Sequence, residues 1–184
     1  MGPSRTGVCC VLVLAAGCRI GFERVGDMMP ADGSTGDSIT DGLRPDGFLA
    51  PCPASYQTVG ATTSRYRAVD DSISWDQAQA ACAADGQHLA IFETQNERDL
   101  ITALLPARDL WVGVTDRVTL GTWLTVTGVP ATYLPWAAGE PDVVTTERCV
   151  ETESPAYNYI DQLCSQGRRY VCECDGVASD PSAY

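Results

Sequence analysis

The sequence has few positive charges and a single histidine. Among 184 residues, 12 are Lys or Arg and 24 are Asp or Glu, which gives a formal net charge of -12 at pH 7. A chain this acidic should repel nucleic acid, because nucleic-acid binding depends on Lys and Arg contacts with phosphates. No phosphate-cradling P-loop motif is present. His88 is the only histidine, so no Ser-His-Asp or Cys-His catalytic set can form without it. The composition argues against a nucleic-acid-binding protein and against an enzyme.

The apolar run at the amino terminus is too short to cross a membrane. A spanning helix needs about 20 apolar residues, whereas residues 8–16 form only a brief apolar stretch after Arg5. The small residues Ala15, Ala16 and Gly17 follow it and immediately precede Cys18. This order is typical of an export signal that is later removed. We therefore predict a signal peptide over residues 1–17.

Leu14-Ala15-Ala16-Gly17-Cys18 is similar to a bacterial lipobox, in which the cysteine becomes lipidated and starts the mature chain. The alternative is ordinary signal cleavage nearby, with Cys18 playing no part. Lipidation of Cys18 would hold the protein on a membrane through the lipid alone. We expect an exported protein that is anchored in this way to the bacterial outer membrane or cell surface.

The chain after Cys18 divides into a tether, one domain and a tail. Residues 18–51 are rich in Gly, Asp, Ser and Thr and show neither helical nor strand periodicity, so we predict a flexible acidic tether. Residues 52–175 have the size of one globular domain. We predict a disordered tail over residues 176–184.

Six cysteines remain once the signal and Cys18 are set aside from the nine in the chain. They are Cys52, Cys82, Cys149, Cys164, Cys172 and Cys174. An even number of cysteines in an exported chain favours disulfides. They can pair in many ways, and the sequence alone does not choose among them. A thiolate metal site on Cys172 and Cys174 is the competing interpretation.

Two capping boxes predict two helices. Ser74 with Gln77 starts the first, which should run to about Ala84, and Thr94 with Glu97 starts the second, which Pro106 should stop. Short runs with β-branched and aromatic residues predict strands. These strand candidates are 56–59, 66–69, 110–115, 123–127, 149–152 and 169–174. Two helices flanking small antiparallel sheets, with a long functional loop, make an α+β fold.

Four acidic residues lie within the stretch from Trp136 to Cys164. They are Glu140, Asp142, Glu147 and Asp161. Glu140 and Asp142 stand on either side of Pro141, and a cis Glu140-Pro141 bond would let both side chains point the same way. Several carboxylates on one loop suit calcium, which prefers oxygen ligands. The alternative is that these acids are simply solvated.

The order of these motifs resembles a C-type lectin-like domain. The resemblance covers roughly residues 52–174. It rests on Ser74-Trp75, Ala78, Ala81-Cys82, Gly86, His88-Leu89-Ala90, Leu110-Trp111-Val112-Gly113-Val114, Gly121-Thr122-Trp123-Leu124, Pro135-Trp136, Gly139-Glu140-Pro141-Asp142, Glu147, Cys149-Val150, Asp161, Cys164 and Tyr170-Val171-Cys172-Glu173.

The resemblance implies a disulfide pattern and a ligand site. It pairs Cys82 with Cys172 and Cys149 with Cys164, which leaves Cys52 for Cys174. In lectin members of the family, one calcium is bound by residues at the places of Glu140, Asp142, Glu147 and Asp161, and the sugar hydroxyls contact the ion and the same side chains. We therefore expect calcium as the cofactor, a glycan or glycoconjugate as the partner, and Glu140, Asp142 and Glu147 as carbohydrate-binding residues.

The sequence also departs from the family. Ile160 stands where the family has an asparagine ligand, and it has no oxygen or amide to offer. Asn158, two positions upstream, is a candidate substitute. Glu140-Pro141-Asp142 mixes the family's mannose-type and galactose-type motifs, so it predicts no particular sugar. Only Asp116 is acidic at the family's accessory calcium site, so we expect that site to be lost. A calcium-independent domain that binds a protein ligand is therefore the alternative function.

Overall fold

The protein is described by a computed structural model that covers residues 51–142 and 145–184. The predicted signal, Cys18 and all but the last residue of the predicted tether lie outside the described residues. Within the part that is described, no helix combines the length and the apolar character needed to cross a membrane.

The first helix, α1 (Trp75–Ala83), begins at the capping box that the sequence predicts. The Ser74 hydroxyl accepts a hydrogen bond from the Gln77 main-chain N–H at 3.3 Å, and the Ser74 N–H donates to the Gln77 side chain at 3.1 Å. These two bonds satisfy main-chain donors that would otherwise have no partner in the first turn. Gly86, which follows the helix, has a φ of 72°, a left-handed conformation that favours glycine.

The second helix, α2 (Gln95–Thr102), forms only half of its predicted capping box. Thr94 accepts from the Glu97 N–H at 3.2 Å. The Glu97 carboxylate bonds instead to the main-chain N–H of Glu93 at 2.8 Å and to the Tyr66 hydroxyl at 2.7 Å. A tertiary contact with Tyr66 therefore competes with the local cap. The helix also ends at Thr102, before the predicted stop at Pro106.

The strands of the described residues join in one mixed sheet. They are β1 (Gln57–Thr58), β2 (Arg65–Ile73), β3 (His88–Leu89), β4 (Leu110–Thr115), β5 (Leu124–Thr125), β6 (Glu147–Glu153), β7 (Asn158–Leu163) and β8 (Arg168–Cys174). The order is β1-β2-β8-β4-β6-β7, with β3 on β8 and β5 on β4. The α+β fold class with two helices is confirmed. Most neighbouring strands pair antiparallel, and β4 with β8 is the parallel pair that makes the sheet mixed.

That parallel pair places β4 in the centre of the domain. All six residues of β4 are buried, as is usual for a strand that is covered on both faces. Gly113 shows how close the neighbouring chain comes, since a Cβ atom there would lie 2.5 Å from the Leu89 carbonyl oxygen. The indole N–H of Trp75 donates to the Val112 carbonyl at 2.8 Å, which joins α1 to this strand.

Three disulfides close the domain, and they are the pairs that the resemblance implies. Cys52 is bonded to Cys174, Cys82 to Cys172 and Cys149 to Cys164. Both Cys172 and Cys174 are therefore used in disulfides, and the competing thiolate metal site on them is excluded. Cys82 reaches its partner from α1, where it is fully buried.

The segment after Asp175 packs on the domain, so the prediction of a disordered tail over residues 176–184 is wrong. The Asp180 N–H donates to the Val126 carbonyl at 2.7 Å, and a 3-10 turn follows over Pro181–Ala183. The Tyr184 ring lies edge-on to Trp75, with 5.5 Å between ring centroids. The sequence of the tail has no apolar periodicity that would predict this packing. The tail is held by a few separate contacts with surfaces that other parts of the chain form.

Candidate metal centre

The long segment between β4 and β6 is held against β7 by main-chain hydrogen bonds. The Tyr159 N–H donates to the Pro135 carbonyl at 2.8 Å, and the Ala137 N–H donates to the Tyr159 carbonyl at 2.8 Å. Aromatic packing supports them, since the Trp136 ring lies 6.0 Å from the Tyr159 ring and 4.9 Å from the Trp123 ring. The residues that follow Trp136 are thereby brought beside the carboxyl end of β7, where Asp161 lies.

Three of the four predicted site residues meet at this place. Glu140, Asp142 and Asp161 each offer one carboxylate oxygen, and these three oxygens lie within 4.8 Å of one another. Asp161 is 5% exposed, Glu140 is partly buried and Asp142 is exposed. The Asp142 N–H points at Asp161 Oδ1 from 3.4 Å. The Glu140-Pro141 bond is cis, as predicted for an arrangement in which the Glu140 and Asp142 side chains point the same way.

Glu147 lies near this cluster but outside it. It is the first residue of β6 and is partly buried. The pKa of Glu147 is raised, first by desolvation and then by the charges of Asp142 and Asp161. The fourth predicted site residue is therefore close enough to feel the other carboxylates, although its oxygens are not part of the 4.8 Å group.

The cluster is electrostatically strained when no cation is bound. The pKa of Glu140 is raised to about 7, first by desolvation, then by hydrogen bonding with Asp161 and by the charges of Asp161, Asp142 and Glu147. Like charges that share a site make each carboxyl harder to ionise. Glu140 Oε2 is also buried without a hydrogen-bond partner among the described residues. A cation at this point would relieve both the repulsion and the unpaired oxygen.

Calcium fits this set of donors. The three clustered carboxylates and Glu147 carry enough oxygens to supply most of the roughly 6–8 ligands that calcium takes, and water can complete the shell. The set contains no nitrogen or sulfur donor of the kind that zinc prefers. The residues present therefore suit a hard cation.

Neither Ile160 nor Asn158 contributes to the cluster. Ile160 follows Tyr159 on β7 and has only a hydrocarbon side chain. Asn158 pairs with Glu153 at the far end of the β6–β7 ladder, roughly 10 Å along the strand from Asp161. Its amide oxygen faces the Arg98 guanidinium at 3.4 Å. The idea that Asn158 replaces the missing ligand is therefore wrong, because the strand carries it away from the site.

Arg148 is the residue of this region that sequence reasoning missed. Its guanidinium Nε lies 2.5 Å from Asp116 Oδ1, and Asp116 is only 2% exposed. The carboxylate expected at an accessory calcium site is therefore already paired with a cation from the protein. The only sequence signal was a basic residue directly after the predicted ligand Glu147.

His88 is buried and structural. Its Nδ1 lies 2.8 Å from the Leu89 carbonyl oxygen, and its Nε2 lies 3.2 Å from Asp175 Oδ1. The ring is fully enclosed, so it has no access to a substrate.

Comparison with known proteins gives a consistent result. The Lectin C-type domain family matches residues 71–174. A tetranectin-like protein of Carcharhinus perezii is 33% identical over 114 residues, which cover 59% of this chain and 69% of that protein. The galactose-specific lectin nattectin of Thalassophryne nattereri is 30% identical over 127 residues, which cover 66% of this chain and 79% of that protein.

The fold is shared with solved structures as well. A calcium-independent type II antifreeze protein superposes with a TM-score of 0.62 at 23% identity, and the match covers 71% of this chain and 96% of that one. The family match spans more than half of the chain, and the helices, mixed sheet and three disulfides agree with it. The chain therefore belongs to the Lectin C-type domain family.

Proposed function

We propose that this protein is a surface-tethered recognition module that binds carbohydrate through one calcium ion, held by Glu140, Asp142, Glu147 and Asp161. The observation that supports this most directly is the meeting of three carboxylates within 4.8 Å. One relative is named as a galactose-specific lectin, which favours a sugar ligand. The protein is a binding module and not an enzyme, in agreement with its family.

Bound calcium would accept sugar hydroxyl oxygens as ligands. Glu140 and Asp142 would then accept the hydroxyl hydrogens, because ionised carboxylates have acceptors and no donors. Neither residue can donate to a sugar oxygen, so an acceptor-only ligand is excluded from these two positions. A pair of neighbouring hydroxyls that coordinates the ion and donates both hydrogens satisfies the site.

The experiment is a comparison of calcium and glycan binding. We would titrate oxidised protein with calcium by calorimetry and then screen a glycan array in millimolar calcium and in excess chelator. Calcium binding together with chelator-sensitive glycan binding is the expected result. Absence of calcium binding would refute the proposed site.

The second candidate is a calcium-independent module that binds a protein ligand. Ile160 favours it, because this residue removes a metal ligand from the position that follows Tyr159. A calcium-independent antifreeze protein with the same fold shows that the architecture is compatible with loss of the metal. A defined partner that binds equally in calcium and in chelator would favour this function.

The tether is a separate part of the proposal. Lipidation of Cys18 would place the domain on the outer membrane or cell surface at the end of residues 18–51, with the lipid as its only membrane contact. Metabolic labelling with a fatty acid tests this. Label in the wild-type chain that disappears in Cys18→Ser is expected, and an unlabelled wild-type chain would contradict the anchor.

A further inference from the structure

Asp116 and Arg148 form a buried connection between the end of β4 and the start of β6. Arg148 Nε lies 2.5 Å from Asp116 Oδ1, and its NH2 group also donates to the Asp116 main-chain carbonyl. In the other direction, the Arg148 carbonyl accepts from the Thr115 hydroxyl at 2.6 Å and from the Asp116 N–H at 3.3 Å. Four hydrogen bonds therefore join Arg148 to two consecutive residues at the end of β4, Thr115 and Asp116.

The same carboxylate also closes the loop that follows β4. Asp116 Oδ2 accepts the N–H of Gly121 at 2.7 Å. Gly121 has a φ of 77°, a left-handed conformation that other residues rarely adopt. Both oxygens of Asp116 are therefore engaged, one by Arg148 and one by the loop. The negative charge of Asp116 is therefore already balanced by a cation of the protein, Arg148.

The ladders that β6 forms with its two neighbouring strands are both irregular near Arg148. The β4–β6 ladder has a register irregularity between Trp111 and Thr115. The β6–β7 ladder has another between Glu147 and Cys149. Glu147, the residue directly before Arg148, pairs with Leu163 of β7 but lies beyond the last β4–β6 pair, Thr115 with Cys149. On the β4 side, the contacts of Arg148 with Thr115 and Asp116 extend the attachment of β6 past that last pair.

We propose that the Arg148–Asp116 pair is the positioning element of the calcium site: it fixes Glu147 beside Asp142 and Asp161 and takes the place of a second metal ion. This inference rests on the proposed function, since it concerns calcium binding at the same carboxylates. Arg148 does not contact calcium. It acts through the main chain of Glu147, and the protein binds one calcium per chain.

The sign of the effect separates positioning from simple electrostatics. Arg148 carries a positive charge that repels calcium, so the loss of this charge alone would strengthen calcium binding. Loss of position at Glu147 would weaken calcium binding instead. Weaker calcium binding in an Arg148 variant would therefore support the positioning role, because the loss of the charge alone predicts stronger binding.

The chain offers a matched control in an ion pair between β8 and β6. Arg168 pairs with Glu151 of β6, its NH2 group donating to Glu151 Oε1 at 3.1 Å. The side chains in this pair are 22% and 2% exposed, against 23% and 2% for Arg148 and Asp116. Glu151 lies roughly 13 Å along the strand from Glu147, so R168A removes an equally buried ion pair away from the calcium site.

We would measure calcium affinity and stoichiometry by calorimetry on the oxidised full chain, with R148A, R148K and R168A. We expect one calcium per chain in the wild type and about tenfold weaker binding in R148A, in the range typical of residues that orient metal ligands. R168A should stay within roughly twofold of the wild type, because distant sites act independently. R148K should fall between, since lysine keeps the charge but cannot reproduce the planar fork.

Each other result has a distinct meaning. Equal or tighter calcium binding in R148A and R148K would overturn the inference and leave the proposed function intact. Equal weakening in R148A and R168A would also overturn it, because the effect would then be one of general stability. Two calcium ions per chain would refute the claim that Arg148 replaces a metal. No calcium binding by the wild-type chain would refute the proposed function and the inference together.

Discussion

Replacing Asp161 with asparagine should make the stability of the domain insensitive to calcium. Asp161 is 5% exposed, and asparagine has nearly the same shape. Its side-chain oxygen can still accept the Asp142 N–H that now lies 3.4 Å from Asp161 Oδ1. The substitution therefore removes one negative charge from the cluster while it preserves the local packing.

The effect has opposite signs with and without calcium. In chelator, the variant should unfold at the same temperature as the wild type or higher, because hydrogen bonding with Asp161 and its charge help to raise the pKa of Glu140. In calcium at 100 times the dissociation constant, the wild type should gain about 2.7 kcal/mol. For a domain of this size, that corresponds to a rise of roughly 10 °C in the unfolding midpoint. The variant should lose most of this rise.

The assay is thermal unfolding by circular dichroism, with oxidised protein in millimolar calcium and in excess chelator. Asp109→Asn is the matched control, because Asp109 is partly buried and, like Asp161, accepts a main-chain N–H, that of Ser154 at 2.9 Å. It should keep the full calcium-dependent rise. If Asp161→Asn keeps it as well, Asp161 is not a calcium ligand and the site assignment is refuted.

Three further predictions concern pH, a disulfide and the tail. Calcium affinity should fall as the pH drops below about 7, because protons compete for Glu140, whose folded-state pKa of about 7 lies above the usual carboxyl value. In chelator, the same raised pKa should stabilise the fold at low pH, and this contribution should be lost as the pH rises through about 7. Calorimetric titrations and unfolding midpoints across this range check both effects, and a pH-independent affinity would contradict the first. The double variant C82A/C172A should lose about 2–5 kcal/mol of unfolding free energy by urea denaturation, equally in calcium and in chelator; a loss confined to one condition would contradict this. Tyr184→Ala should lose about 1 kcal/mol because it removes the aromatic contact with Trp75. Tyr184→Phe keeps the ring and should unfold like the wild type, and an unchanged midpoint in Tyr184→Ala would contradict a stabilising role for this contact.

Local signals in the sequence located the helix starts because their physics involves only a few neighbouring residues. Ser74 and Gln77 satisfy each other's main-chain donors within one turn. The second box was predicted by the same rule, but Glu97 bonds to Tyr66 and Glu93 instead. Strand β7 was missed because polarity does not follow burial in it. Burial alternates at Tyr159 and Asp161, but Asp161 is charged and the less buried Ile160 between them is apolar, so the sequence lacks the apolar–polar alternation of a half-buried strand.

The candidate site was likewise predictable from the sequence only in part. The sequence named Glu140, Asp142 and Asp161, because carboxylates spaced around a proline and before a cysteine indicate a calcium-binding loop of this family. It did not show that Asn158 lies at the far end of the hairpin or that Arg148 pairs with Asp116. Both facts depend on the register between strands, which is set by packing across the whole sheet.

The sequence by itself determined the chemical inventory and the family: the cysteine set, the acidic loop, the helix caps and the framework positions. The tertiary structure decided which carboxylates meet, how the central strands run, and that the segment after Asp175 packs on the domain. The physical reason is the distance along the chain over which each kind of interaction acts. Capping and residue chemistry act within a few residues, whereas the meeting of Glu140 with Asp161 or of Arg148 with Asp116 requires main-chain pairing between segments far apart in the chain.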